Sequence, residues 1–106
     1  MIDISDIRKF CENNALRWTN HALLRLVKRS LNTDDVVHAL MNGVIIEQYP
    51  NDYPYPSCLV LGSDEKSQTL HVVCAIGDME LWLITAYRPN VNEWSYDFKS
   101  RREASK

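Results

Sequence analysis

The hydrophobic pattern of the chain changes its period near Gly43. Before this glycine, apolar residues recur every three or four positions, which predicts helices packed on a core; after it they form short alternating or continuous runs, which predict strands. The predicted helices cover residues 6–13, 20–30 and 33–42, and the predicted strands cover residues 44–49, 58–62, 70–76 and 81–87.

Each predicted helix begins after a residue that can cap it, namely Ser5, Thr19 or Asn32. Asn32 followed by Asp35 resembles a capping box. Residues 15–18 are predicted to be a short extended piece between the first two helices. The apolar side of the second helix is predicted to consist of four aliphatic residues: Leu23, Leu24, Val27 and Leu31.

The links between the predicted strands indicate the fold class. Residues 50–57 contain three prolines and are predicted to be a loop, whereas Gly77-Asp78 suits a hairpin turn. Four consecutive short strands favour an antiparallel meander with the helices on one face. We therefore predict a two-layer α+β domain at residues 1–98, in which two or three N-terminal helices pack on a four-stranded antiparallel sheet. Residues 99–106 form a basic tail with no predicted element.

The charge of the chain is unevenly distributed. The 106 residues carry a formal net charge of −2. Residues 15–31 nevertheless sum to +4 without any acidic residue, and residues 99–106 sum to +3, so the remainder sums to −9. Such local basic patches matter more to an anionic ligand than the total charge does.

Composition excludes several classes of protein. The apolar share of 45% is that of an ordinary globular domain, and no apolar run approaches the ~20 residues that span a membrane. Three cysteines without a C-x-x-C pair, and no secretory signal, predict a cytoplasmic protein with no membrane partner. Neither H-E-x-x-H nor a glycine-rich phosphate loop is present. We expect no metal and no cofactor.

The second predicted helix carries the first candidate site. His21, Arg25 and Arg29 stand four positions apart and should form one row, with Lys28 beside it. Imidazole can transfer protons near neutral pH, and guanidinium groups bind phosphate through a bidentate fork. Two alternatives remain open: His21 can simply bond a loop carbonyl, and the arginines can face the carboxylates of Glu47, Asp52 or Asp97.

Two further candidates lie on the predicted strands. His71 shares a strand face with Val73 and Ala75, as either a packed core group or a positioned site residue. Tyr87 ends the last strand on the predicted face of Leu81, Leu83 and Thr85, followed by Arg88. A tyrosine hydroxyl at a strand end can bind phosphate or assist proton transfer, although a partly buried core tyrosine is the usual case.

Several segments together resemble a known family. The segments are Thr19-Asn20-His21-Ala22-Leu23-Leu24-Arg25 with Arg29, Gly43-Val44-Ile45-Ile46-Glu47-Gln48-Tyr49-Pro50, Asp52-Tyr53-Pro54-Tyr55-Pro56-Ser57 with Leu59-Val60-Leu61-Gly62, Leu70-His71-Val72-Val73, and Tyr87-Arg88-Pro89 with Trp94. They cover roughly residues 15–95 and resemble a domain of unknown function that is widespread in prokaryotes. That family is often encoded beside zinc-ribbon, helix-turn-helix antitoxins and is grouped with the RelE- and MqsR-like ribonucleases of the barnase–EndoU–colicin–RelE fold class.

The resemblance implies a bacterial, cytoplasmic toxin of a toxin–antitoxin pair that cleaves RNA, either free or as ribosome-bound mRNA, without a metal. Its partner would be a cognate antitoxin, for example of the zinc-ribbon or helix-turn-helix type. The family pattern marks Glu47 and Ser57 as well as His21, Arg25, Arg29, His71 and Tyr87, and it leaves the position of Arg88 open. The expected catalytic residues are His21, Arg25, His71 and Tyr87, and the expected RNA phosphate-binding residues are Lys28, Arg29 and Arg88.

The alternative hypothesis is a non-catalytic interaction module or an inactive family member. In that case a partner would bind to the basic helix face and to the loop rich in proline and tyrosine. This loop contributes Tyr49, Tyr53 and Tyr55, with Trp94 nearby. Tyrosine, tryptophan and arginine are typical of binding hot spots.

Overall fold

The computed structural model describes residues 1–103; the last three residues of the predicted basic tail lie outside this range. The fold class is α+β, as predicted. Three helices and five strands follow one another as α1 (Ile4–Glu12), β1 (Leu16–Trp18), α2 (Asn20–Lys28), α3 (Thr33–Asn42), β2 (Val44–Tyr49), β3 (Ser57–Ser63), β4 (Thr69–Gly77) and β5 (Glu80–Tyr87).

Side chains that accept backbone N–H groups fix the starts of the helices. The Thr19 hydroxyl accepts from the Ala22 N–H at 3.0 Å, and Asn32 and Asp35 form the predicted capping box of α3. The predicted cap of α1 was wrong, because the Asp3 carboxylate accepts from the Ser5 N–H at 2.8 Å and starts the helix earlier.

The sheet has five strands in the order β1-β5-β4-β3-β2, so the predicted four-stranded, wholly antiparallel sheet was wrong. The additional strand is the extended piece after α1. β1 pairs in parallel with β5, with Leu16 opposite Leu81, whereas the other neighbouring strands are antiparallel. Three residues are too few to show the alternation by which a strand is recognised in a sequence.

The helices cover one face of the sheet and form the core with it. Gly62 of β3 lies directly against the backbone of Ala39 in α3, which brings helix and sheet into close contact. The buried residues of this core come from all three helices, from the turn after α2 and from the central strands: Ile7, Leu26, Leu31, Val36, Ala39, Leu40, Cys58, Val60, Leu70, Val72, Cys74, Leu81, Leu83 and Ala86.

The buried side of α2 differs from the prediction. Ala22 and Leu26 face the core, whereas Leu24 is 62% exposed and Val27 is 77% exposed. The prediction was right for Leu31, which is buried, but wrong for Leu24 and Val27. Both sets of residues recur at helical spacing, and the period alone does not decide which set faces the sheet.

A β-bulge reverses the predicted orientation of Tyr87. Cys74 pairs with Leu83 but Val73 pairs with Thr85, so Ile84 is an extra residue of β5. Because side chains alternate along a strand, one extra residue moves all later side chains to the opposite face. Tyr87 therefore lies on the face of His71, away from the core face of Leu83.

The segment after β5 folds back over the helix-free face of the sheet. Trp94 is buried there, and a short antiparallel bridge joins it to Arg101. The N–H of Arg102 also donates to the Glu93 carbonyl at 2.8 Å. Among residues 1–103, no helix has both the length and the apolar character needed to cross a membrane.

Candidate functional site

The basic row on α2 has the geometry that its spacing predicts, and its histidine and first arginine are bonded to each other. The Nε of Arg25 donates to the Nε2 of His21 at 2.7 Å. Because a guanidinium group only donates, the Nε2 of His21 carries no proton in this arrangement and the ring presents Nδ1–H on its other side. His21 is exposed at the surface.

The third member of the row joins the helix to the end of β5. Arg29 donates through one NH group to the Thr85 hydroxyl at 3.0 Å and to the Ala86 carbonyl at 2.9 Å. These contacts leave its other donors free for a ligand, because a guanidinium group has five. Lys28 is exposed beside the row.

Within residues 1–103, no carboxylate lies in ion-pair range of the row, since the three ion pairs there belong to Arg17, Arg88 and Arg101. The alternative in which acidic residues neutralise the row is not observed. The proposed partners are engaged elsewhere: Glu47 binds Arg101, Asp52 accepts the Ser57 hydroxyl, and Asp97 accepts the Ser95 hydroxyl.

His71 is enclosed by the segment after β5. The side chain has 0% exposure, and its Nε2 lies 2.9 Å from the Phe98 carbonyl. A carbonyl only accepts, so Nε2 carries the proton and Nδ1, 3.3 Å from the Tyr87 hydroxyl, accepts from it. The Trp94 ring packs edge-on at a centroid distance of 4.5 Å. Burial holds the pKa of His71 below 6.5, although the Phe98 carbonyl and Glu47 oppose this shift.

Next to His71 lies a bidentate ion pair between Arg101 and Glu47, with N–O distances of 3.0 and 3.1 Å. The Tyr49 hydroxyl donates to the same carboxylate at 2.5 Å. Burial opposes ionisation of Glu47, but the hydrogen bonds from Arg101 and Tyr49 outweigh it, so the pKa of this carboxyl is lowered. Arg101 also lies 4.7 Å above the centre of the Trp94 ring.

Tyr87 connects the basic row with this enclosed cluster. It follows Ala86, to which Arg29 is bonded, and its hydroxyl meets His71. Burial raises the pKa of Tyr87, and the positive charges of Arg101 and Arg29 only partly offset this. The phenol therefore keeps its proton at neutral pH.

Arg88 points away from the row. It donates to Asp64 at 2.6 Å and to the carbonyls of Gln68 and Thr69 at 3.4 and 3.2 Å, so it holds the turn between β3 and β4. Asp64 is nearly fully buried in that turn. The guanidinium group of Arg88 is thus occupied by the protein itself.

The loop rich in proline and tyrosine is divided between two places. Tyr53, 95% exposed, and Tyr55 line a cavity of about 210 Å³ over the sheet together with Trp82. Tyr49 and Trp94 instead belong to the cluster around Glu47. Ser57 is buried and its hydroxyl donates to Asp52 across the loop. It therefore holds the loop in place and is not an exposed nucleophile.

The sequence analysis did not predict that Arg101 and Phe98 lie near the site. It considered the arginines of the α2 row, and not Arg101, as partners of Glu47. The available signal was the alternation of Glu47 and Tyr49 within an apolar strand, which puts two polar groups on one face of the sheet. No local signal indicates that the segment after β5 returns to cover them. In the described portion of the chain, no group of three or more histidines, cysteines or acidic residues is arranged to hold a metal ion.

Comparison with known protein families finds a match over most of the chain. The family model described as "Domain of unknown function (DUF4258)" matches residues 18–88, which include α2, α3 and β2 to β5. No curated protein and no solved structure matches the chain significantly.

Proposed function

We propose that this chain, which belongs to the DUF4258 family, is a metal-independent endoribonuclease that acts as the toxin of a toxin–antitoxin pair. The observation that carries the proposal is the row of His21, Arg25 and Arg29, in which His21 and Arg29 are exposed and Arg25 is half-buried, and which has no acidic partner within residues 1–103. Such a row combines a proton-transfer group with two phosphate-binding groups on one helix face.

The reaction needs no nucleophile from the protein. The ribose 2′-oxygen forms a bond to phosphorus while the bond from phosphorus to the 5′-oxygen breaks, which leaves a 2′,3′-cyclic phosphate and a 5′-hydroxyl. One proton leaves the 2′-hydroxyl and one reaches the departing 5′-oxygen. The protein must supply a base, an acid and cations that stabilise the charge on the phosphate.

His21 is suited to be the base because of its bond to Arg25. In the free protein Arg25 occupies the Nε2 of His21. A bound phosphate would draw the Arg25 guanidinium to its oxygens, since a charge-assisted bond is stronger than a neutral one. That exchange frees the Nε2 lone pair next to the phosphate, where it can take the proton of the 2′-hydroxyl. Arg29 and Lys28 would hold the same or a neighbouring phosphate.

Tyr87 is suited to be the acid because it lies beside the anchor of Arg29 and keeps its proton at neutral pH; to protonate the 5′-oxygen, its hydroxyl would turn this proton away from His71. His71 is fully buried behind Trp94, so it acts in this scheme as a positioning residue that fixes the Tyr87 hydroxyl. Arg88 has no part in it, because Asp64 engages its guanidinium group.

The alternative function, a non-catalytic interaction module, is favoured by one observation. Leu24, Val27 and Tyr53 are large and well exposed, and such side chains are common in protein interfaces. A toxin also has to bind its antitoxin, so only cleavage separates the two functions.

The experiment is cleavage of a 5′-labelled, mixed-sequence single-stranded RNA by the full chain in EDTA and, in a separate assay that contains Mg²⁺, cleavage of mRNA on translating ribosomes. We expect cyclic phosphate ends. His21→Ala should reduce the rate at least 100-fold, because general acid–base catalysis contributes about 10²–10⁴-fold. Arg25→Lys should also lose most activity, since lysine cannot form the bidentate fork.

Matched variants test whether the loss is specific. His38→Ala removes another exposed histidine, on α3, and Arg17→Lys changes another exposed arginine, on β1; both should cleave like wild type. If the folded wild type cleaves neither free nor ribosome-bound RNA, the ribonuclease proposal is wrong. If it binds RNA without cutting it, the non-catalytic alternative is favoured.

A further inference from the structure

The side of α2 opposite the core is apolar. Leu24 is 62% exposed, Val27 is 77% exposed and Leu23 is 38% exposed, and with Asn20 they line a shallow groove. We name the three aliphatic residues the α2 stripe. Aliphatic side chains side by side on a solvent-facing helix indicate a surface that another molecule covers.

The rim of the α2 stripe is basic. Lys28 lies one turn after Leu24, and Arg25 lies next to Lys28 on the helix surface. Residues 15–31 contain no acidic residue, and neither Lys28 nor Arg25 is within ion-pair range of a carboxylate of residues 1–103. A molecule that covers the stripe therefore meets apolar side chains flanked by unpaired positive charge. The complementary surface is apolar and acidic.

The dimensions of the α2 stripe favour a single helix over a globular domain. From Leu23 to Val27 the helix advances about 6 Å, or roughly one turn, at 1.5 Å per residue. A standard interface buries about 800 Å² and 20–30 residues on each side. A second copy of this chain is also disfavoured, because a twofold contact that pairs the two α2 helices antiparallel would bring their basic rims together.

We propose that the α2 stripe binds one acidic amphipathic helix of a partner protein. Its apolar residues, spaced three and four apart, would pack on Leu23, Leu24 and Val27, and its carboxylates would pair with Lys28 and Arg25. A helix bound there also reaches the bond between Arg25 and His21, so it inhibits RNA cleavage. Only this last consequence rests on the proposed function.

The test is selection from a displayed library of 14-residue peptides that have leucine at positions i, i+3, i+4 and i+7 and random residues elsewhere. We expect enriched peptides to be rich in aspartate and glutamate. The double variant Leu24→Ser/Val27→Ser should bind them at least tenfold more weakly in fluorescence anisotropy. Val91→Ser, which changes another exposed valine outside α2, should bind like wild type.

Each other outcome overturns the proposal. No enrichment, enrichment without acidic residues, or binding unaffected by the double variant excludes an acidic helix as the occupant. Self-association of the wild type that the double variant abolishes, measured by sedimentation, assigns the stripe to a second copy. Loss of RNA affinity in the double variant, with unchanged peptide binding, assigns it to RNA. Because peptide binding is measured without RNA, its result is independent of whether the chain is a ribonuclease.

Discussion

Protonation of His71 should destabilise the folded protein, and replacing this residue by glutamine should remove that effect. Glutamine can still donate to the Phe98 carbonyl but does not titrate. Burial holds the pKa of His71 below 6.5 in the folded chain, whereas the unfolded chain takes up the proton near 6.5. Between these two values the unfolded state binds more protons, so the free energy of unfolding decreases as the pH falls.

The size of the effect has an upper limit. One proton changes the free energy of unfolding by at most about 1.36 kcal/mol per pH unit. With an unfolded pKa of 6.5, the loss between pH 7 and pH 5.5 is at most about 1.3 kcal/mol, out of roughly 5–15 kcal/mol for a typical domain. Of the groups that face His71, Tyr87 and Arg101 do not titrate in this range, and Glu47, whose pKa is lowered from 4.5, contributes only at lower pH.

The assay is urea unfolding of wild type and His71→Gln from pH 5.5 to 8, followed by far-ultraviolet circular dichroism. The difference between the two free energies should shrink as the pH falls below 6.5. Because burial is the main cause of the shift, the trend should persist in 0.5 M NaCl. A difference in the free energy of unfolding that is constant with pH, or that grows toward low pH, would refute the reasoning. If salt abolished the pH dependence of this difference, charges and not burial would set the pKa of His71.

Two further substitutions test the packing of the sheet. Gly62→Ala should lower the free energy of unfolding by about 1–3 kcal/mol, because the new Cβ would lie 2.1 Å from the Ala39 carbonyl oxygen in α3; an unchanged urea midpoint would contradict this close approach. Arg101→Ala should cost about 1 kcal/mol, because its side chain is 61% exposed although the Glu47 carboxylate is half-buried, and the loss should decrease in 1 M NaCl. Its control is Arg17→Ala, which removes an ion pair with Glu80 and a contact with the Trp82 ring. If both variants lose the same free energy of unfolding, the additional hydrogen bond from Arg101 to the Tyr49 hydroxyl contributes nothing to stability.

Local signals were sufficient for most elements of the fold. Thr19 and the Asn32–Asp35 pair predicted the starts of α2 and α3, because capping depends on a few neighbouring residues. Gly43 likewise marked the end of α3. The α+β class followed from the order of these elements along the chain.

Long-range contacts could not be predicted in the same way. The choice between Leu26 and Val27 as the buried residue of α2 depends on how the helix is rotated against β5, and both fit the same period. The orientation of Tyr87 depends on one bulge residue, Ile84, whose side chain resembles its neighbours. The sequence therefore predicted the wrong face of the sheet for Tyr87.

The candidate site shows the same difference between local features, which the sequence predicts, and long-range contacts, which it does not. His21, Arg25 and Arg29 share one helix face, as their spacing requires. The enclosure of His71 depends on Trp94 and Phe98, which return over the sheet from later positions in the chain. No helical or strand period connects such distant positions.

The pairing of β1 with β5 delays completion of the sheet during synthesis. Leu16 leaves the ribosome 65 residues before its partner Leu81, which corresponds to roughly 3–13 s at the usual rates of translation. Until then Ile7 and Leu16, which belong to or pack on the core, have no β5 to cover them. The nascent chain therefore exposes the apolar surface around these two residues for seconds, and chaperones can bind there before the fold closes.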